Sequence, residues 1–219
     1  MKKGHSKQNP HILSIESLGE ESFLNLLQNA DSLSGISKRE IKKTPALRGK
    51  TIINLFCENS TRTRTSFEIA AKWLSADAIN VSATSSSLKK GESLLDMART
   101  LNAMSPDVII IRHKSAGVPS FLTEQVDAAV INAGDGMHSH PTQALLDCLS
   151  LMQHYDAGIE GLKGKRVAIV GDIVHSRVAR SNIWAHSLLG NEVRLVAPET
   201  LLPDDLLIAC QVRLVFIEI

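Results

Sequence analysis

No imbalance of charge marks this sequence. Lys and Arg number 24 against 23 Asp and Glu, a formal net charge of +1, so the overall balance points to neither a nucleic acid nor a membrane surface as partner. Any basic function has to be local. Long apolar runs are lacking as well. None could span a bilayer, and the N-terminal Met1-Lys2-Lys3-Gly4-His5 carries basic residues without the apolar stretch of a secretory signal. Cysteine is sparse: Cys57, Cys148 and Cys210 are far apart and have no paired spacing. That pattern suits buried reduced thiols in a cytoplasmic protein better than a disulfide framework or a zinc knuckle.

Familiar catalytic signatures are missing too. Gly134-Asp135-Gly136 lacks the third glycine of the dinucleotide pattern, Gly161-Leu162-Lys163-Gly164-Lys165 has the wrong spacing for a P-loop, and there is no Gly-x-Ser-x-Gly elbow. His138 and His140 form His-x-His, but no third ligand pattern lies nearby, so neither a metal nor another cofactor is expected. What remains is a chain equipped to bind charge without a protein nucleophile.

Its densest stretch is Asn59-Ser60-Thr61-Arg62-Thr63-Arg64-Thr65-Ser66-Phe67-Glu68. The apolar run Thr51 to Phe56 before it reads as a buried strand, and Phe67, Ala70, Ala71 and Leu74 after it fall on one helical face. Ser60 is a candidate N-cap. The free amides of a first helical turn favour a phosphate or carboxylate, and Arg62 and Arg64 add charge-assisted contacts. A capped helix with solvated arginines is the plainer alternative.

In chain order, residues 1–10 read as a disordered tail. A helix is expected from Ile15 to Ala30, interrupted near Gly19, with a second helical stretch to about Lys43. Further strands are expected at Ala78 to Ser82, Asp107 to Ile111 and Ala128 to Asn132. A helix with Leu94, Met97, Ala98, Leu101 and Met104 inward follows the strand ending at Ser82, and another, opened by Pro141, follows the strand ending at Asn132. The fold class is therefore α/β, a parallel sheet with helices on both faces. Ligands bind beyond the carboxyl ends of such strands, which groups Ser60 to Arg64, Ser86 to Lys90, Arg112 and His113, and Gly134 to Gln143 at one edge.

Ordinary alternatives exist for two of those sites, Lys89 and Lys90 as a solvated loop tip and Arg112 as a charge that only reaches water, and for Glu58, just ahead of the motif, as part of a surface ion pair. His140, at a helix start, should have a lowered pKa and donate as a neutral imidazole. The glycines at 158, 161 and 164 mark a boundary. Arg166 to Asp172 then restarts the pattern, with a helix through Arg177, a strand at Glu192 to Val196 and another at Val212 to Ile217. The domain plan is thus 11–158, then 165–219 as the start of a second, Rossmann-like α/β domain.

Together, Phe56-x-Glu58-x-Ser60-Thr61-Arg62-Thr63-Arg64, Ser66-Phe67-Glu68 and His140-Pro141-Thr142-Gln143 resemble the aspartate/ornithine carbamoyltransferase family. The loop Ser86-x-x-x-Lys90-Gly91-Glu92 and Gly134-Asp135-Gly136 look like its aspartate branch, and the ornithine branch is the runner-up. The resemblance implies carbamoyl phosphate and L-aspartate as substrates. Ser60, Thr61, Arg62 and Thr63 would hold the phosphate, Thr63, Arg112 and His140 would polarise the carbonyl, and Gln143 would orient the amino group. It further implies aspartate contacts from Lys90 and Arg177, with Glu58 orienting Arg177 across the domain interface. Ser86 and Lys90 would come from a neighbouring subunit of a homotrimer, with which a regulatory or dihydroorotase-like chain could associate.

The departure lies after residue 205. The family's later arginine and glutamine contacts, mobile loop and Pro-Leu carbonyls have no counterpart. The chain therefore reads as C-terminally truncated or shortened, and a non-catalytic phosphate-binding or oligomer-forming module is the competing reading.

Overall fold

The computed structural model describes residues 11–82, 93–156, 158–203 and 212–216. Four strands, β1 (Thr51–Phe56), β2 (Asp77–Ser82), β3 (Val108–His113) and β4 (Ala129–Asp135), form a sheet of order β2-β1-β3-β4 with every pair parallel. Period-two alternation splits β1 between two cores. Ile53 and Leu55 pack with Ile109, Ile111, Met97, Leu101 and Leu122 on one face, whereas Ile52 and Phe56 pack with Ile110, Ala71 and Ala133 on the other. Apolar side chains on both faces of one strand account for its unbroken hydrophobic run.

Helix α1 (Ile15–Ser34) starts at a capping box in which Ser14 and Ser17 bond each other's backbone N–H. The expected interruption is real: Gly19 sits at φ 70° and ψ 165° inside it. The helical stretch expected to Lys43 reduces to a short 3-10 turn over Gly35–Lys38. Helices α2 (Thr61–Trp73) and α3 (Leu94–Ala103) follow β1 and β2. In α3 the inward positions Met97, Ala98 and Leu101 are buried, but Met104 lies beyond the helix end and is 63% exposed. A six-residue helix not expected from the sequence, α4 (Val118–Thr123), links β3 to β4. It is too short for a 3.6-residue apolar period to declare itself.

Helix α5 (Pro141–Tyr155) opens with proline in its first turn and buries Ala144, Cys148 and Met152. These meet Phe23 and Leu27 of α1, and Ala185 and Leu189 from the end of the next helix, in one core. That helix, α6 (Arg177–Leu188), belongs to a second parallel sheet of β5 (Arg166–Val170), β6 (Glu192–Ala197) and β7 (Val212–Phe216). Phe23 and Leu27 are fully buried, and at about 1.5–3 kcal/mol for each such side chain this core, more than any loop, holds α6 against α5. Among the described residues no helix is long and apolar enough to cross a membrane.

Candidate active site

Register brings the chemistry together. Phe56 at the end of β1 is level with Arg112 in β3, and His113 is level with Asp135 in β4, so the loops after these strands leave from one edge. A cleft of about 980 Å³ opens there, lined by Asn59 to Thr63, Arg112, His140, Thr142, Gln143 and Arg177 among others. Seven expected site residues from three strand ends and one more from α6 thus share a single concavity. Ser86 and Lys90 lie outside the described residues.

Helix α2 contributes its N-terminus. Ser60 holds the N-cap position, but its hydroxyl makes no capping bond, contrary to the expected cap. Thr61 and Arg62 are exposed, while Thr63 is half-buried. First-turn amides with no side-chain acceptor suit an anion supplied from outside.

Arg112 and Arg177 converge on Glu58. Both donate to the same oxygen, Oε1 of Glu58, from Nε of Arg112 and, at 2.6 Å, from NH2 of Arg177. Burial alone would raise the Glu58 pKa, but the hydrogen bonds and charges of the two arginines outweigh it and hold the carboxyl below its ordinary value. The solvated ion pair is thereby excluded: the side chains of Arg112 and Arg177 are only 14% and 15% exposed. Arg112 also donates to Thr63 Oγ1 at 3.4 Å and to the Ala133 carbonyl at 3.3 Å, and Arg177 donates to the Gly136 carbonyl at 3.0 Å.

The turn after β4 is built around a buried carboxylate. Asp135 accepts from the backbone N–H of Gly117 at 2.8 Å and of Ser139 at 3.1 Å, and from the Asn132 amide at 2.8 Å. His138, the other half of His-x-His, contacts the same carboxylate at 3.1 Å and stays largely exposed. Among the described residues no three His, Cys, Asp or Glu side chains gather as metal ligands.

His140 caps α5 by position, and Ser181 of α6 accepts its backbone N–H at 2.8 Å. Ser181 was not anticipated, although it lies one helical turn from Arg177 on the same face, a legible signal. His140 is 5% exposed and its pKa falls to about 4, first because burial penalises the charged form and then because of the Arg112 and Arg177 charges. The expected neutral imidazole is present, with burial rather than the helix end as the leading cause.

A pH consequence follows. Because the folded pKa lies below the unfolded value near 6.5, the unfolded chain takes up protons first, and stability is lost as pH falls from about 6.5 to about 4. The full loss from this group is roughly 3 kcal/mol, and His186, also depressed by burial, adds to it in the same direction. Urea unfolding at pH 7.5 and pH 4.5 should show His140→Asn losing less stability on acidification than the unsubstituted chain; equal losses would remove the assignment.

A family model described as the carbamoyl-P binding domain of aspartate/ornithine carbamoyltransferase matches residues 10–153. The chain belongs to the aspartate/ornithine carbamoyltransferase family. Curated relatives within this carbamoyltransferase family include the aspartate carbamoyltransferase catalytic subunits of Magnetococcus marinus, 54% identical over 196 residues, and Paenarthrobacter aurescens, 56% identical over 201. The alignments cover 89% and 88% of this chain and 60% of each relative, so the chain spans about 60% of the length of the curated relatives it matches. Among solved structures, Trypanosoma cruzi aspartate transcarbamoylase in complex with carbamoyl phosphate and aspartate superposes with a TM-score of 0.86 at 29% identity, covering 96% of this chain and 67% of that one. The M. jannaschii catalytic subunit gives 0.81 at 36% identity, covering 94% and 67%.

Proposed function

We propose that this chain carries the carbamoyl-phosphate half, and part of the aspartate half, of an aspartate carbamoyltransferase. The enzyme moves the carbamoyl group from carbamoyl phosphate to the α-amino group of L-aspartate, yielding N-carbamoyl-L-aspartate and phosphate in pyrimidine biosynthesis. The observation that carries this reading is the single cleft holding the α2 N-terminus, Arg112, neutral His140, Gln143 and Arg177. Relatives at 54–56% identity bearing the aspartate name favour aspartate over ornithine.

In this mechanism the phosphate lies on Ser60, Thr61, Arg62 and Thr63 at the helix start. Arg112, His140 and Thr63 donate to the carbamoyl oxygen as it gains charge, and Gln143 orients the amino group. The neutral amine of aspartate attacks the carbonyl carbon and forms the C–N bond. The tetrahedral intermediate then collapses, the bond between its central carbon and the bridging oxygen breaks, and phosphate leaves with that oxygen and the electron pair and takes up the amine proton. Positioning and charge stabilisation supply the rate, with neither a protein nucleophile nor a metal required. Arg177, held by Glu58, faces a carboxylate of aspartate.

Residues 11–158 and 165–219 serve as the two domains of this scheme. Ser86 and Lys90 complete the site of a neighbouring subunit in a homotrimer. The outer edge of β2 and the exposed Ile69 and Ile79, 41% and 48% accessible, support such an interface. Reduced, buried Cys148, whose pKa burial pushes up to about 12, is consistent with a cytoplasmic location.

Phosphate and carbamoyl phosphate at millimolar concentration should raise the thermal midpoint, by mass action on the folded state. Arg62→Ala should reduce that protection by roughly the 10- to 100-fold in affinity that a charge-assisted contact represents. An unchanged midpoint in the unsubstituted chain, or unchanged affinity in the variant, would defeat the phosphate assignment.

A further inference from the structure

One carboxylate beside the cleft is left unused by this mechanism. Asp147 lies one helical turn after Gln143 on α5 and accepts from its Nε2 at 2.9 Å through Oδ1. Through Oδ2 it accepts from Nδ2 of Asn182, on α6, at 2.8 Å. The same Asn182 nitrogen donates to the Val178 carbonyl at 3.2 Å, and Asn182 Oδ1 is buried without a partner.

That orphaned oxygen shows how strongly the arrangement is imposed. Turning the Asn182 amide over would set its oxygen against both a carboxylate and a carbonyl, two acceptors facing a third. Leaving Oδ1 unsatisfied is the lesser cost. The same logic governs Gln143. An ionised carboxylate has no proton to donate, so only the amide nitrogen can face Asp147, and the amide oxygen is the end left for the cleft that Gln143 lines.

We infer that Asp147 is a positioning residue that sets donor specificity, locking Gln143 as a hydrogen-bond acceptor so that the cleft selects an acyl phosphate bearing N–H over one bearing a methyl group. The inference rests on the functional reading above and adds to it the origin of the preference for a carbamoyl donor. A site that has committed an acceptor leaves it unpaired against the wrong ligand, which is how polar pockets discriminate strongly. Asp147 acts through Gln143 and touches no substrate itself.

The test compares carbamoyl phosphate, acetyl phosphate and inorganic phosphate as stabilising ligands in thermal unfolding. The unsubstituted chain should prefer carbamoyl over acetyl phosphate. Asp147→Asn preserves the shape but offers one acceptor and one donor to two amides, which frees Gln143 to turn over. Its preference should fall about tenfold, the worth of one hydrogen bond, while inorganic phosphate affinity stays within about twofold. Adding Gln143→Glu to Asp147→Asn should restore the preference, because the new carboxylate accepts from the new amide and still presents an oxygen to the cleft.

A preference unchanged in Asp147→Asn, a loss shared equally with inorganic phosphate, or no rescue in the double variant would each overturn the inference. Phosphate binding without any carbamoyl preference in the unsubstituted chain would overturn it as well, leaving the anion site standing. No protection by any of the three ligands would defeat the functional reading itself, and this inference with it.

Discussion

Arg112→Ala should lower carbamoyl-phosphate affinity by about 10- to 100-fold and, in any form of the enzyme that turns over, the rate by roughly 100- to 1000-fold. The two figures differ because, in the proposed mechanism, the guanidinium meets a neutral carbonyl in the ground state and a developing oxyanion in the transition state. Arg112 reaches the cleft from β3 with three partners, Glu58, Thr63 and the Ala133 carbonyl, so its fork is held before a ligand arrives. Loss of the side chain should not collapse the site, since Glu58 keeps its bond to Arg177 at 2.6 Å. Titration calorimetry with carbamoyl phosphate on the variant, set beside its urea midpoint, separates binding from folding. Affinity within a factor of two of the unsubstituted chain would sink the role given to Arg112. An Arg112→Lys variant should recover only part of the loss, because an ammonium cannot reproduce the planar fork.

The second large effect is on the backbone. Gly136 has φ +50°, and a Cβ there would stand 2.9 Å from the Ala116 nitrogen and 3.1 Å from the Lys114 carbonyl oxygen, both main-chain atoms unable to step aside. Gly136→Ala should therefore destabilise by roughly 3–5 kcal/mol, about 1 from the left-handed backbone and the rest from the clash. For a chain of this size that is a fall of roughly 6–20 °C in thermal midpoint. The variant should also weaken the hold on Arg177, which donates to the Gly136 carbonyl. Gly190→Ala is the control: its φ is +66°, but nothing lies within 4 Å of the new Cβ, so only the torsional part, about 1 kcal/mol, applies. If the two variants melted together, the crowding at Ala116 would have no energetic weight.

Taken together, these effects describe a site made rigid by shared partners. Glu58 serves two arginines, Asp135 serves two backbone amides and Asn132, Asp147 serves two side-chain amides, and Ser181 accepts the amide of His140. Each anchor is buried or half-buried, where a hydrogen bond left unmade costs more than one made returns. Two of them, Asp147 and Ser181, bind α5 to α6, so the first sheet's chemistry depends on a helix that belongs to the second sheet.

Much of this was legible in the residues. The runs Thr51 to Phe56 and Asp107 to Ile111 announced parallel strands, and a break was expected at Gly19, where the chain indeed leaves helical geometry. Ser60 to Arg64 announced a donor-rich helix start through local composition alone, and Pro141 marked another. Where the reading failed, the signal was too short or too local. Helix α4 has six residues, fewer than two turns, Met104 fits the apolar period of α3 but falls past its end, and the stretch from Ser37 to Lys43 is exposed and so has no buried face to hold a helix. The capping bond expected of Ser60 did not form, although its position at the helix start was right.

The sequence by itself determined what repeats at short range: strand and helix periods, turn residues, the α/β class and the motif at the start of α2, because each depends on neighbours within a few positions. Only the tertiary structure decided which charges meet. Glu58 and Arg177 are 119 positions apart, and nothing local to either one names the other: the family resemblance alone implied that pair, and the fold adds that Arg112 shares the same carboxylate oxygen. The same holds for the two amides on Asp147 and for the burial that keeps His140 neutral. These are decided by packing α5, α1 and α6 around one core, since hydrophobic burial is non-directional and sets the positions in which directional hydrogen bonds must then find partners.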